Sequence, residues 1–206
     1  MMLIYRQEVA QIRGTSEAAK ALLEHLDLEK VEIQSLPEHE SIVLKKYKPS
    51  IQHEMILMTL QKGEETLYIR HPVLKLGISE TEEIASIMRQ VDQEVWREIT
   101  AQRIAEGMSD RLWLGIKVDG KLVSLGNTRL TDWGSNIGAI ATHEAYRNRG
   151  YATSITSALV KEILQKSSLA LIHVLSDNPP AIRAYEKVGF KPYKSYFFAH
   201  ATLKHP

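Results

Sequence analysis

The stretch Ala141-Thr142-His143-Glu144-Ala145-Tyr146-Arg147-Asn148-Arg149-Gly150-Tyr151-Ala152 joins an apolar run of strand character, Ile137 to Thr142, to a helical pattern from Gly150 to Lys166. A helix start leaves backbone N–H groups unpaired and carries a partial positive charge, so it suits a phosphate. Gly150 permits positive φ and lets a ligand approach the backbone closely. Arg147 and Arg149 add charge to the same turn. A pyrophosphate is the natural guest of such a turn, and a basic loop that merely opens a helix is the plainer alternative.

Downstream, Leu169 to Leu175 is apolar on both faces, as a central strand is, and stops at Ser176-Asp177-Asn178-Pro179-Pro180. A short helix follows, Pro179 to Val188, with Ala181, Ile182, Tyr185 and Val188 on one face and Gly189-Phe190 at its end. The last strands run from Lys191 to Leu203. Strand, helix and strand on this scale imply a parallel pair inside a mixed α/β sheet. Gly138 inside the first of those strands marks either a bulge or a weak strand position.

Upstream, Asp119-Gly120 between Leu112–Val118 and Lys121–Leu130 predicts a two-residue hairpin. Before it, Val73 to Ile78 reads as a strand. Ser79 with Glu82 then forms a capping box for a helix carrying Ile84, Ile87, Met88, Val91 and Val95, and a second helix covers about residues 97–108. Nearer the N-terminus, Thr15 or Ser16 caps a helix, Ser41 to Tyr47 reads as a strand, and Glu54–Leu60 with Glu65–Ile69 reads as a hairpin. His71-Pro72 is the expected boundary between a segment 1–72 and a domain 73–206.

Composition narrows the function classes. With 206 residues and 44% hydrophobic content, the chain can build a buried core. Lys and Arg total 26 against 25 Asp and Glu, which leaves no general footprint for nucleic acid or an anionic membrane. The absence of cysteine excludes disulfides, thiolate catalysis and cysteine-ligated zinc. No histidine pair sits at metal-ligand spacing on a predicted helix, so no metal is expected. Without a secretory stretch at Met1–Glu8 or an apolar run of about 20 residues, a cytoplasmic protein is expected.

The two patterns, taken in order, resemble the GNAT superfamily of acyl-CoA-dependent N-acetyltransferases. The arginine-glycine turn recurs by chance in about one chain in five, whereas Asn178, Tyr185 and Gly189-Phe190 at their spacing arise in fewer than about one in a thousand. The second pattern therefore carries most of the resemblance, which spans residues 73–206. It implies a mixed-sheet α/β fold with a splayed central parallel pair, preceded by a small N-terminal α/β segment outside the resemblance. That segment could extend the sheet, cover the acceptor cleft or form a homodimer contact.

The resemblance also implies a site. Ile140, Ala141 and Thr142 would pair through their backbone with the pantetheine arm of acetyl-CoA. Arg147, Asn148, Arg149, Gly150, Tyr151, Ala152 and Thr153 would cradle its phosphates, with Asn178 and Tyr185 also near the cosubstrate. Tyr185 would protonate the departing thiolate. An amine acceptor, small molecule or peptide, must lose a proton before attack. Some relatives that acetylate protein N-termini carry a glutamate five residues before the asparagine, and His173 stands there in this chain. His173 is thus the candidate base, with His143, Glu144 and Glu94 as weaker ones. Each has a structural alternative: Asn178 as a helix cap, Tyr185 as a satisfied core tyrosine, His173 as a buried strand residue. An acyl-CoA-binding regulatory module without turnover is the competing reading.

Overall fold

Asp119 and Gly120 both take positive φ, 48° and 76°. That is the turn whose twist matches the strands it joins. It reverses the chain between β6 (Leu112–Val118) and β7 (Lys121–Thr128), which pair antiparallel. In this computed structural model residues 1–205 are described, and they form two compact units.

The second unit comprises Met58–His173 and Pro179–Pro192. Its strands run in the order β9-β8-β7-β6-β5, where β5 is Leu74–Lys75, β8 is Ser135–Thr142 and β9 is Leu169–Leu175, of which residues through His173 belong here. α6 (Tyr151–Lys166) connects β8 to β9, and those two strands are parallel. Ile155, Leu159, Val160 and Ile163 bury α6, while Ile84, Met88 and Ile104 pack with Trp113, Leu122 and Leu125 as a separate apolar cluster. α7 (Pro179–Val188) buries Tyr185 and Val188.

Parallel pairing between β8 and β9 covers Ser135 to Ile137 against Ala170 to Ile172 and goes no further. At that point the β7–β8 register shifts: Thr128 faces Ile137 and Asn127 faces Ala139. Gly138 is the extra residue, so it is a bulge. A Cβ there would stand 2.6 Å from Asn127 Oδ1 and 2.9 Å from an Arg111 nitrogen, so only glycine leaves room for those side chains. The bulge bends β8 where it leaves β9.

The first unit holds Met1–Leu57, Val174–Asn178 and the chain from Tyr193. Its strands follow the order β1-β2-β3-β10-β4, for β1 (Met2–Tyr5), β2 (Val9–Ile12), β3 (Lys30–Ser35), β10 (Lys191–Leu203) and β4 (Tyr47–Gln61). α1 (Ser16–Glu24), capped by Thr15, links the parallel pair β2 and β3. Ala10, Ile12, Leu23, Leu26, Ile33, Tyr47 and Phe197 form its core, and the Tyr47 hydroxyl donates to the Leu26 carbonyl at 2.7 Å.

Several local expectations are corrected. Ser41–Tyr47 is not a strand: α2 (Glu40–Lys46) is a helix whose Lys46 ammonium donates to the Leu23 and Glu24 carbonyls at the end of α1. Glu65–Ile69 forms no hairpin strand. It runs as an extended strap whose Tyr68 and Arg70 N–H groups donate to Ser157 and Ser154 on α6, while Thr66 N–H donates to the Val188 carbonyl. β4 is correspondingly a single long strand. The capping carboxylate near residue 80 is Glu80, which accepts from Gly77 N–H at 2.8 Å, and α3 spans Thr81–Val91. Asp92 accepts from Val95 N–H and starts the short α4 (Gln93–Trp96), so Val95 lies outside α3. α5 is Ala101–Met108, capped by Thr100. Among the described residues no helix is long and apolar enough to cross a membrane.

Gly138→Ala is expected to destabilise the protein by about 1–3 kcal/mol, since Asn127 and Arg111 must shift in a packed sheet. Urea unfolding checks this. An unchanged midpoint would mean that the sheet face yields without cost.

Candidate functional site

Alternation along β8 sets which peptide groups are free. His143 N–H bonds to the Val123 carbonyl at 2.9 Å, directly across the ladder. In an antiparallel pair every second residue exchanges such bonds, so Ala141 and Ala139 bond to Leu125 and Asn127. Ile140 and Thr142 therefore turn their N–H and C=O groups away from β7, toward the edge that β9 leaves after Ile172. The Arg147 side chain reaches back to the Thr142 carbonyl at 3.3 Å.

Beyond Thr142 the chain makes one 3₁₀ turn, Glu144–Tyr146, whose Ala145 N–H donates to His143 Nδ1 at 3.2 Å. Asn148 and Gly150 follow with φ of 62° and 81°. Gly150 sits at the N-cap of α6, and no side chain caps that helix. The first intrahelical bond runs from Ser154 N–H to the Gly150 carbonyl. The amides of Tyr151, Ala152 and Thr153 thus stand at an open helix start, at the positive end of its dipole. Arg147 and Arg149 are exposed beside them, and the Arg149 guanidinium lies 5.4 Å from the Tyr146 ring centre.

Tyr185 is 7% exposed on α7, with its ring 6.3 Å from that of Phe190. Burial alone pushes its phenol up to about 12. His173 is exposed, contrary to the buried position expected for it, because the side chains of β9 alternate between a buried and an open face. It is the residue directly after Ile172, where pairing with β8 ends. Asn178 is also exposed and belongs to the first unit, its N–H donating to the Leu175 carbonyl at 3.1 Å. Glu144 is exposed and His143 half-buried, and the side chain of Glu94 lies outside the described residues.

Ile140 to Thr142, the turn through Thr153, His173 and Tyr185 thus all fall in the second unit. A depression of about 320 Å³ in the first unit, lined by Pro37, Glu40, Gln52, His53, Glu54 and Phe197, shares no residue with either sequence pattern. Among the described residues no group of three or more His, Asp or Glu side chains is placed to hold a metal. The strap across α6 escaped sequence reading. Its signal was present in Ser154 and Ser157, two polar positions three apart on a buried helix face, which require partners.

A parallel pair that parts at a bulge, followed by an open helix start, leaves a free strand edge beside an anion-accepting turn on an α/β fold. Residues 113–199 match the FR47-like protein family. Solved structures with the same fold include a GCN5-related N-acetyltransferase from Kribbella flavida, 14% identical with a TM-score of 0.68, covering 95% of this chain and 84% of the other. A GCN5-related N-acetyltransferase from Sphaerobacter thermophilus has 14% identity and a TM-score of 0.65, covering 100% of this chain and 76% of the other. An acetyltransferase of the GNAT family from Colwellia psychrerythraea has 11% identity and a TM-score of 0.64, covering 98% and 80%. No curated protein matches the chain. By this likeness the chain has the fold of the GNAT acetyltransferases, and residues 113–199 of it match the FR47-like family.

The buried phenol gives a pH prediction. Its folded pKa lies above the ordinary tyrosine value near 10, so the neutral form is favoured by folding. The stability it contributes is complete below about pH 10 and is lost as pH rises toward about 12, because the unfolded chain releases the proton first. Alkaline melting curves should fall through that window, and more shallowly for Tyr185→Phe. Identical slopes would show that Tyr185 ionises while folded.

Proposed function

We propose that the chain transfers an acetyl group from acetyl-CoA to a primary amine of a small molecule or peptide, by direct attack. The reacting groups are assigned to residues 73–206. One observation carries the reading: β8 leaves β9 at the Gly138 bulge, presents the peptide groups of Ile140 and Thr142 at a free edge, and runs straight into an uncapped helix start at Gly150. The free edge suits an extended arm that carries its own amides, and the helix start suits a pyrophosphate. Asn178 is retained as a cosubstrate contact on the strength of its sequence pattern.

In this reading His173 takes the proton from the amine, directly or through water, since it is exposed on β9. A β8 N–H stabilises the oxygen of the attacked carbonyl. Tyr185 donates to the departing sulfur. A phenol near 12 is a weaker acid than a thiol of about 8.5, so full transfer is uphill and the stabilising contribution is a hydrogen bond to the developing thiolate. Removing such a donor costs about 10²-fold or more in rate.

Isothermal titration with acetyl-CoA and with desulfo-CoA tests the cosubstrate. Binding is expected for the native chain, with a loss of about tenfold or more when Arg149 and Gly150 are both replaced by alanine. Tyr185→Phe should retain CoA affinity and lose about 10²-fold in acetyl transfer, followed by thiol release over a panel of amines. Absent CoA binding would overturn the reading. Binding without any transfer would leave a regulatory acyl-CoA module in its place.

A further inference from the structure

Ser154 holds the His71 ring by Nδ1. A hydroxyl has one proton and two lone pairs. Here the proton goes to the Tyr68 carbonyl at 3.2 Å, and Arg70 N–H donates to one lone pair at 3.2 Å. His71 Nδ1 lies 2.9 Å from the same oxygen and must therefore be a donor as well. The neutral ring consequently carries its proton on Nδ1, and Nε2 is the bare nitrogen. The Tyr151 ring, 4.4 Å away at 51°, holds the imidazole from a second side.

The carbon between the two nitrogens faces the glycine turn. A Cβ on Gly150 would stand 3.7 Å from His71 Cε1. Nε2 is bonded to that carbon on the side away from Ser154, so it lies at the turn. The charged and phenolic groups of the elements that meet here are Arg147, Arg149, Tyr146 and Tyr151 on the turn and the start of α6, Arg70 on the strap, and Lys187 of α7, which lies over the Tyr68 ring at 4.8 Å. The carboxylates of the strap are engaged elsewhere, Glu64 with Lys191 at 2.8 Å and Glu65 with Gly63 N–H at 2.6 Å. Glu144 lies exposed on the preceding 3₁₀ turn.

We propose that His71 is a phosphate ligand of the Gly150 turn. When a CoA pyrophosphate is held by the turn amides, the imidazole takes a proton from solvent at Nε2 and donates it to a phosphate oxygen. Cosubstrate binding is thereby coupled to uptake of one proton. This inference rests on the acetyl-CoA reading above. It also gives the strap a role, since Ser154 and Tyr151 orient the ring before the phosphate arrives.

His71→Asn keeps an amide donor near the Nδ1 position for Ser154 and has nothing at Nε2. His71→Gln places an amide near Nε2. Titration of CoA in two buffers of different ionisation heat should show proton uptake with the native chain and none with His71→Asn. His71→Asn should bind CoA about tenfold more weakly and bind pantetheine, which has no phosphate, as the native chain does. His71→Gln should recover part of the affinity without proton uptake. Native-like CoA affinity and proton uptake in His71→Asn would overturn the role of His71 while leaving the CoA reading standing. Equal losses toward CoA and pantetheine would make the ring structural and also overturn it. A native chain that fails to bind CoA would remove both readings together.

Discussion

The end of pairing between β8 and β9 is the constraint on which the site depends. With β7 on one edge and β9 on the other, both edges of β8 are paired, and while that lasts no backbone group of the strand is left for a ligand. Here it lasts three residues and stops after Ile137 and Ile172. The extra residue in β8 is Gly138, and the Asn127 carboxamide occupies the space a side chain would need. The free edge that follows is therefore built by the sheet itself. It needs no insertion and no special side chain, and it delivers the chain to Arg147 and Gly150 within a single 3₁₀ turn.

The second consequence concerns α6. Its first turn must stay open to be useful to an anion, yet its flank carries Ser154, Thr156 and Ser157 in a buried setting. Thr156 donates to the Ala152 carbonyl within the helix, while Ser154 and Ser157 take their partners from the strap. A strap that paired as a hairpin strand with β4 would leave those hydroxyls unsatisfied, at about 1–3 kcal/mol each. The buried serines thus favour the extended strap over the hairpin that the alternating pattern of residues 65–69 suggests. The same contact brings residues before His71-Pro72 against the glycine turn.

Legibility follows from where the information lies. The Asp-Gly hairpin, the helix from Gly150 and the positive φ of that glycine are local properties, and residues alone determine them. The Gly138 bulge was visible as one of two options, and only the register of β7 against β8 decides between them. Ser41 to Tyr47 failed as a strand because a short apolar run has no period that separates helix from strand, and contacts of Lys46 with the end of α1 settle it. The exposure of His173 is not legible for a related reason. An apolar strand suggests two covered faces, but the sheet leaves one face of β9 open beyond Leu169.

This distribution also orders the chemistry proposed for the site. In that proposal backbone groups hold the cosubstrate, and they are insensitive to side-chain identity, so a short glycine signature suffices to mark them. The two proton positions differ in solvent contact. His173 is exposed, where a base can pass its proton on to water, while Tyr185 is buried, where the phenol stays neutral to about 12. A donor that resists ionisation is always in its hydrogen-bonding form across the physiological range. Its contribution is then set by the charge developing on sulfur rather than by its own acidity. The proposal thus divides the labour, with attack assigned to the wet side and departure to the dry side.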